Sequence, residues 1–152
     1  MPKEFVLLLR NIRSRFNVGA IFRTADAAGV SKIYLCGITP SPPHPKIDKV
    51  ALGAQKYIPF EKYKQTARLI NELKSKGFHI IALEQSKKSN PYYKFKPKFP
   101  LALVLGSEVK GLPPKLLKLC HKIIEIPMYG RKESLNVAVA AGVVCFEIIK
   151  SK

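Results

Sequence analysis

Short apolar runs alternate with longer segments of helix-forming residues along most of this chain. Runs of strand length that are apolar at nearly every position predict five buried strands, at residues 4–9, 32–36, 78–83, 101–105 and 122–126. Four further segments predict helices, at residues 18–29, 62–76, 114–119 and 135–149. Because uniformly apolar strands that alternate with helices are typical of sheets covered on both sides, the pattern predicts an α/β fold, with a mostly parallel sheet and helices on both faces.

Proline, glycine and capping residues set the expected ends of these elements. Four prolines predict a loop at residues 39–45. Gly29 is predicted to end the first helix, and Asn17 is predicted to cap its start. Ser134 is predicted to cap the last helix, which places Asn136 in its first turn. An asparagine at the start of so apolar a helix needs a hydrogen-bond partner, either neighbouring backbone or a ligand.

Length and composition exclude several classes of protein. A chain of 152 residues fits a single domain, over residues 1–152. Its longest apolar stretch, residues 135–149, is shorter than the roughly 20 residues that cross a bilayer, and the N-terminus does not resemble a signal peptide. The three cysteines form no CxxC pair and the three histidines lack ligand spacing, so we expect no disulfide scaffold and no metal site. This cysteine usage indicates a reducing cytoplasm.

The charge balance points to a polyanionic partner. Lysine and arginine together number 27 against 10 acidic residues, a net charge of +17, and nucleic acid is the commonest polyanion. Solubility alone is the alternative explanation. Four of the six arginines, Arg10, Arg13, Arg15 and Arg23, fall within one short segment. Because a guanidinium can bind phosphate with two parallel hydrogen bonds, this cluster is the better candidate for specific phosphate contacts.

A second basic segment, residues 86–100, interleaves five lysines with four aromatic residues and contains no acidic residue. Such a composition is typical of surfaces that follow a phosphate backbone and stack bases. The alternative is a proline-rich surface loop whose aromatic rings pack inward.

Loops that follow strands are the expected ligand sites in this fold class. Residues 106–112 carry two glycines five positions apart, but Leu112 and Pro113 stand where a P-loop has Lys and Ser/Thr, and no GxGxxG motif occurs. Nucleotide hydrolysis and a Rossmann-type site are therefore disfavoured. Gly106 would let a ligand approach the backbone closely, although an ordinary turn is equally compatible with the spacing.

Three segments together resemble the SpoU/TrmH family of SPOUT RNA methyltransferases. They are residues 17–25 (NVGAIFRTA), residues 103–112 (LVLGSEVKGL), and residues 126–128 (IPM) followed by residues 134–136 (SLN). The resemblance extends from Phe5 to about Ile149. It implies an α/β sheet whose C-terminal segment forms a trefoil knot, a SPOUT fold that sequence rules alone would not predict because knotted chains are rare.

The resemblance also implies S-adenosylmethionine as cofactor and transfer of its methyl group to a ribose 2′-hydroxyl of tRNA or rRNA. The implied cofactor pocket is lined by Leu83, Glu84, Gly106, Ile126, Met128 and Leu135. Arg23 is the implied catalytic residue, and the surrounding polar set is Asn17, Glu108, Ser134 and Asn136. Because a guanidinium keeps its proton at ordinary pH, we expect Arg23 to orient a phosphate and stabilise the developing oxyanion rather than act as a base.

Two other functions remain compatible with the sequence: a non-catalytic RNA-binding module with the same fold, and a SPOUT base methyltransferase. Family members are homodimers with sites at the interface, and many carry an extra N-terminal RNA-binding domain. Here the first predicted strand begins almost at Met1. We therefore expect a cytoplasmic homodimer without a separate RNA-binding domain, whose catalytic domain itself binds RNA, with no membrane or metal partner.

Overall fold

The computed structural model describes residues 3–151, which form a seven-stranded sheet flanked by five α-helices. The strands are β1 (Phe5–Arg10), β2 (Lys32–Cys36), β3 (Phe60–Tyr63), β4 (His79–Leu83), β5 (Asn90–Pro91), β6 (Leu101–Leu105) and β7 (Lys122–Glu125). The α-helices are α1 (Arg15–Ala28), α2 (Pro45–Ala51), α3 (Thr66–Ser75), α4 (Pro114–Leu117) and α5 (Val137–Ile149), and short 3-10 helices lie at Ala54–Lys56 and Tyr92–Lys94.

The strand order is β3-β2-β1-β6-β4-β7-β5, and each neighbouring pair runs parallel. Since side chains alternate between the two faces of a strand, β1 contributes Leu7 to one apolar cluster and Leu8 to another. The first cluster includes α1, α2 and α5, whereas the second includes α3 and α4. The predicted sheet with helices on both faces is therefore confirmed. Among the helices of residues 3–151, none is both long and apolar enough to cross a membrane.

Three elements were missed by the sequence prediction, namely β3, the two-residue β5 and α2. β3 lies at one edge of the sheet and carries exposed Glu61 and Lys62, so it lacks the continuous apolar run of a buried strand. The predicted helix at residues 62–76 starts later, at Thr66. Helix α2 begins at Pro45, at the end of the predicted loop. The Pro45 ring occupies the first helical turn. Because the N–H that proline lacks would make no helical hydrogen bond there, this proline favours a helix start.

Both predicted N-caps were wrong, while the predicted stop at Gly29 is confirmed. Helix α1 starts at Arg15, and the Ser14 hydroxyl accepts the backbone N–H of Asn17 at 3.1 Å. Helix α5 starts at Val137, and Asn136 is its cap, so Ser134 lies outside the helix. Because Ser14 caps α1, the side-chain oxygen of Asn17 does not bond to the start of the helix and can make other contacts.

Candidate functional site

A cavity of about 330 Å³ opens where β4, β6 and β7 end, at their carboxyl edge. Loops that follow these three neighbouring strands line it, as expected for parallel sheets. Each of the six predicted cofactor-binding residues lines this cavity: Leu83, Glu84, Gly106, Ile126, Met128 and Leu135. Three segments far apart in the chain therefore meet at one concave surface, which we call the first cavity.

The loop between Gly106 and Leu112 folds back tightly on itself. The Gly111 N–H donates to the Ser107 carbonyl at 2.8 Å, and these two residues form an isolated antiparallel bridge. A Cβ atom at Gly106 would lie 2.9 Å from the backbone carbon of Gly111. Gly111 itself has a φ of +63°, in the left-handed region that favours glycine. Both glycines are thus required by the geometry, and the loop is more specialised than an ordinary turn.

Glu84 ties this loop to the end of β4. Its Oε2 accepts the Leu112 N–H at 2.9 Å, and a Cβ atom at Gly111 would lie only 2.6 Å from the same oxygen. Burial raises the pKa of Glu84, while hydrogen bonds from the backbone of Leu112 and Gln85 oppose that rise. The carboxylate consequently fixes one side of the loop at the wall of the first cavity.

Asn17, Glu108 and Asn136 form a continuous hydrogen-bonded network that fixes the other side of the loop. The Asn17 amide donates to Glu108 Oε1 at 2.5 Å, and its carbonyl accepts the Asn136 amide at 3.0 Å. Asn136 Oδ1 in turn accepts the Ala138 and Val139 N–H groups at the start of α5. The Asn17 residue is only 6 % exposed, so the satisfied bonds remove the cost of burying its amide. The partners that Asn136 needs are therefore neighbouring backbone N–H groups and the Asn17 side chain.

A second cavity, of about 600 Å³, borders the same loop. It shares Ser107, Glu108, Val109, Lys110 and Val137 with the first cavity, so the two cavities adjoin along the glycine loop, which is a wall common to both. Arg10, Arg13 and Asn17 also line this second cavity. The sequence pattern marked the arginine cluster but did not separate its members. The structure assigns Arg10 and Arg13 to the cavity and leaves Arg15 and Arg23 outside it.

The five predicted catalytic residues are only partly brought together. Asn17, Glu108 and Ser134 line the cavities, and Asn136 is bonded to Asn17. Arg23 is exposed on α1 and lines neither cavity. Within residues 3–151 it has no hydrogen-bond or ion-pair partner. One chain therefore does not by itself place the guanidinium at the site.

Helices α1 and α5 pack against each other and leave an apolar surface exposed. Phe16 is 62 % exposed, and it lies seven residues before Arg23, so both project from the same face of α1. On α5 the exposed apolar side chains are Val139, Val143 and Phe146, at helical spacing. The small residues of α5 pack inward, with Ala141 and Cys145 fully buried. Arg23 thus lies on a face that carries exposed hydrophobic residues.

Several lining residues escaped the sequence analysis. Gln85, Glu125 and Glu133 line the first cavity, and the Gln85 amide donates to the Glu133 backbone carbonyl at 2.7 Å. Glu133 could have been found from its position beside the third motif, but nothing in the sequence marks Glu125, which follows an apolar run. No group of three or more potential metal ligands occurs in the described part of the chain.

Comparison with known proteins identifies the family of this chain. The model of the SpoU rRNA Methylase family matches residues 4–146. The chain belongs to the SpoU rRNA methylase family. Its α/β fold with a parallel sheet is thus the fold of the SpoU and TrmH methyltransferases, and the family implies the trefoil knot.

Relatives of the SpoU chain include tRNA and rRNA enzymes. It is 34 % identical over 146 residues to a tRNA (guanosine(18)-2'-O)-methyltransferase of Aquifex aeolicus, covering 95 % of this chain and 68 % of that protein. A 23S rRNA (guanosine-2'-O-)-methyltransferase of Vibrio parahaemolyticus is 33 % identical, with 97 % and 59 % covered. The crystal structure of an AdoMet-bound rRNA methyltransferase from Sinorhizobium meliloti superposes with a TM-score of 0.90 at 32 % identity, covering 97 % of this chain and 56 % of that one. The chain thus spans little more than half the length of two of these three relatives.

Proposed function

We propose that this SpoU chain is an S-adenosylmethionine-dependent methyltransferase that acts on the ribose 2′-hydroxyl of tRNA or rRNA in the cytoplasm. The observation that carries the proposal is the pair of cavities that share the glycine loop as a common wall. A group-transfer enzyme needs donor and acceptor held side by side. The names of the tRNA and rRNA 2'-O-methyltransferase relatives support the reaction class.

The first cavity fits S-adenosylmethionine. Its volume of about 330 Å³ falls at the lower end of the range for small-molecule pockets, roughly 300–1,000 Å³. Leu83, Ile126 and Met128 offer apolar contacts for the adenine and methionine parts, and the half-buried backbone at Gly106 permits a close approach. Glu84, Glu125 and Glu133 supply negative charge that complements a cation. When bound, S-adenosylmethionine supplies an electrophilic methyl group on a sulfonium.

The second cavity suits the acceptor nucleotide. Arg10 and Arg13 can hold phosphates with paired hydrogen bonds, which positions the ribose where the two cavities adjoin along the glycine loop. Glu108 lines both cavities, and Asn17 occupies only its Oε1. Glu108 Oε2 has no hydrogen-bond partner within residues 3–151, so it can accept a hydrogen bond from the ribose 2′-hydroxyl and orient that hydroxyl oxygen. The Asn17–Asn136 network keeps that carboxylate in place.

Arg23 requires a second copy of the chain in this proposal. Its face of α1, together with the exposed face of α5, forms the contact surface of a homodimer, since Phe16 and Phe146 would otherwise remain in water. Across that contact Arg23 of one protomer reaches the RNA bound to its partner, where it holds a phosphate and stabilises the developing oxyanion.

Methylation of tRNA and rRNA that lack modifications tests the reaction. Radiolabelled methyl transfer from S-adenosylmethionine, followed by digestion and mass spectrometry, separates ribose methylation from base methylation. The expected product is a 2′-O-methylated nucleoside, and calorimetry should detect cofactor binding. A base-methylated product would replace the assigned reaction with base methylation. RNA binding without any cofactor binding would identify a non-catalytic RNA-binding module instead.

Mixed dimers test the shared site. Arg23→Ala lacks the guanidinium, whereas Gly106→Ala disturbs the cofactor cavity by pushing against Gly111. If Arg23 acts across the interface, mixing the two inactive proteins restores part of the activity, because each heterodimer contains one intact site. No recovery in verified heterodimers would assign Arg23 to its own chain's site. Phe146→Glu should give monomers by analytical ultracentrifugation, with Tyr57→Glu, at another exposed aromatic position, as control.

A further inference from the structure

We propose that Tyr93 and Tyr129 form a stacking platform for unpaired RNA bases, on the surface next to the first cavity. The proposal rests on the proposed function, because it names the part of the RNA that this surface would bind. Two loops contribute one ring each: residues 86–100 carry Tyr93, and the segment after β7 carries Tyr129.

The structure separates the aromatic residues of the segment 86–100 into two groups. Tyr92, Phe95 and Phe99 pack against the apolar cluster that includes α1 and α5, so the inward-packing alternative holds for them. Tyr93 does not join that cluster and is 50 % exposed. Tyr92 meets it edge to face, with ring centroids 5.4 Å apart. The Tyr93 ring is therefore in contact with Tyr92 and also open to solvent.

Tyr129 is the second open ring. It is 86 % exposed and directly follows Met128, which lines the first cavity. A hydrogen bond with Tyr93 raises the pKa of the Tyr129 hydroxyl. The two phenols are thus adjacent although their residues belong to separate loops. The two neighbouring rings together form an exposed aromatic patch, which makes this surface a candidate interaction site.

The charge around the two rings identifies the partner as nucleic acid. Six exposed cations lie in the same two segments, namely Lys87, Lys88, Lys94, Lys96, Arg131 and Lys132, whereas Lys98 lies near His79. Within residues 3–151 none of them takes part in an ion pair. Two rings offer far less area than a stable protein interface of about 1,600 Å² needs, whereas one or two stacked bases match them. Unpaired RNA presents both phosphates for the cations and bases for the rings.

Binding of single-stranded RNA to the intact protein tests the platform. The probe is a fluorescein-labelled single-stranded RNA of mixed sequence, with affinity measured by fluorescence anisotropy at two salt concentrations. Because one base stacked on an aromatic side chain contributes about 1–3 kcal/mol, Tyr129→Ala should weaken binding roughly fivefold or more. Tyr129→Phe keeps the ring and should bind within about twofold of the native chain. The matched control is Tyr57→Ala, which removes a tyrosine 74 % exposed outside these loops and should change nothing.

A base-free polyanion distinguishes stacking from charge. Affinity for heparin should be equal for the native chain and Tyr129→Ala, whereas Lys94→Ala and Lys96→Ala should weaken both ligands and reduce the salt dependence. Equal RNA affinity of the native chain, Tyr93→Ala and Tyr129→Ala would overturn the platform while leaving the proposed function intact. An equal loss for RNA and heparin would also overturn it, since only charge would then be involved. If the native chain bound no RNA, the proposed function would fail together with the platform.

Discussion

The glycine-loop wall and the outer face of α1 differ in how far one chain satisfies their polar groups. At the wall, Asn17, Glu108 and Asn136 bond to one another, and Glu84 holds the loop from the opposite side. On the outer face, Arg23 is exposed and has no partner among the described residues. The wall is therefore preorganised by folding, whereas Arg23 depends on what binds to its face.

This difference separates residues that stabilise the fold from Arg23, which we propose serves only the reaction. Removing a bonded group at the wall leaves its partners unsatisfied and costs free energy of folding. Removing an exposed guanidinium without partners costs the fold almost nothing. Substitutions at the wall should therefore lower the stability of the fold, whereas substitution of Arg23 should lower activity and leave stability unchanged.

The largest expected effect is the loss of methylation in Arg23→Ala. If Arg23 stabilises the developing oxyanion, its removal should reduce kcat by about 10² to 10³-fold, measured with saturating RNA and cofactor. Thermal unfolding should be unchanged, because the side chain makes no contact that the fold needs. Arg23→Lys should not restore activity, since an ammonium lacks the planar fork. Normal methylation by the lysine variant would contradict that role.

Asn136→Ala should produce the largest loss of stability. It removes the cap of α5 and the hydrogen bond to Asn17, so we expect about 2 kcal/mol of destabilisation in urea unfolding. Ser134→Ala is the control, because Ser134 is exposed and has no hydrogen bond within residues 3–151. Equal destabilisation by both variants would mean that Ser134 and not Asn136 secures the start of the helix.

Gly111→Ala tests the wall from its other side. The substitution forces a left-handed φ onto alanine and pushes the new Cβ atom against the Glu84 carboxylate, so we expect a loss of about 1–2 kcal/mol. Cofactor affinity in calorimetry should fall with it, because both residues line the first cavity. Gly130→Ala is the control, since a Cβ atom there would meet nothing within 4 Å. Undiminished cofactor affinity in Gly111→Ala would separate the loop from cofactor binding.

The smallest expected effect is a loss of stability in acid through His79 and His121, at the opposite edge of the sheet. Burial lowers the pKa of both, and the neighbouring His121 and two lysines lower that of His79 further. His121 Nδ1 accepts the Ile80 N–H at 2.8 Å, which a protonated ring cannot do. Because the folded-state pKa values are depressed, the stabilisation is present above the ordinary pKa of 6.5 and is lost as pH falls through the folded values.

The measurement is urea unfolding between pH 7.5 and pH 5, compared with His79→Gln. The free energy of unfolding of the variant should depend less on pH than that of the native chain. Cofactor affinity should fall only at pH values where the protein begins to unfold. An identical pH dependence in the variant would exclude His79 as a source of the acid sensitivity.

The sequence predicted five of the seven strands and six residues that line the first cavity. Residues 32–36 and 101–105 were predicted with their observed bounds, because continuous apolar runs are required wherever a strand is covered on both faces. The six cofactor positions came from the family resemblance, and they meet in one cavity because parallel strands end at the same edge.

Local signals failed where two residues could serve one purpose or where an element faces water. Asn17 and Ser14 are both good caps, as are Ser134 and Asn136, and only the backbone path decides between them. The edge strand β3 has too few apolar residues to be distinguished from a helix start.

The order of apolar runs by itself determined an α/β fold, while the glycines and the surplus of positive charge predicted a ligand loop and a polyanionic partner. Only the tertiary structure decided that Asn17, Glu108 and Asn136 bond together across separations of up to 119 residues, and that Arg23 lies apart from them. It also turned one tyrosine of a basic segment outward and placed a second beside it. Hydrophobic periodicity specifies which residues are buried, but side-chain hydrogen bonds between distant loops depend on how those loops meet in space.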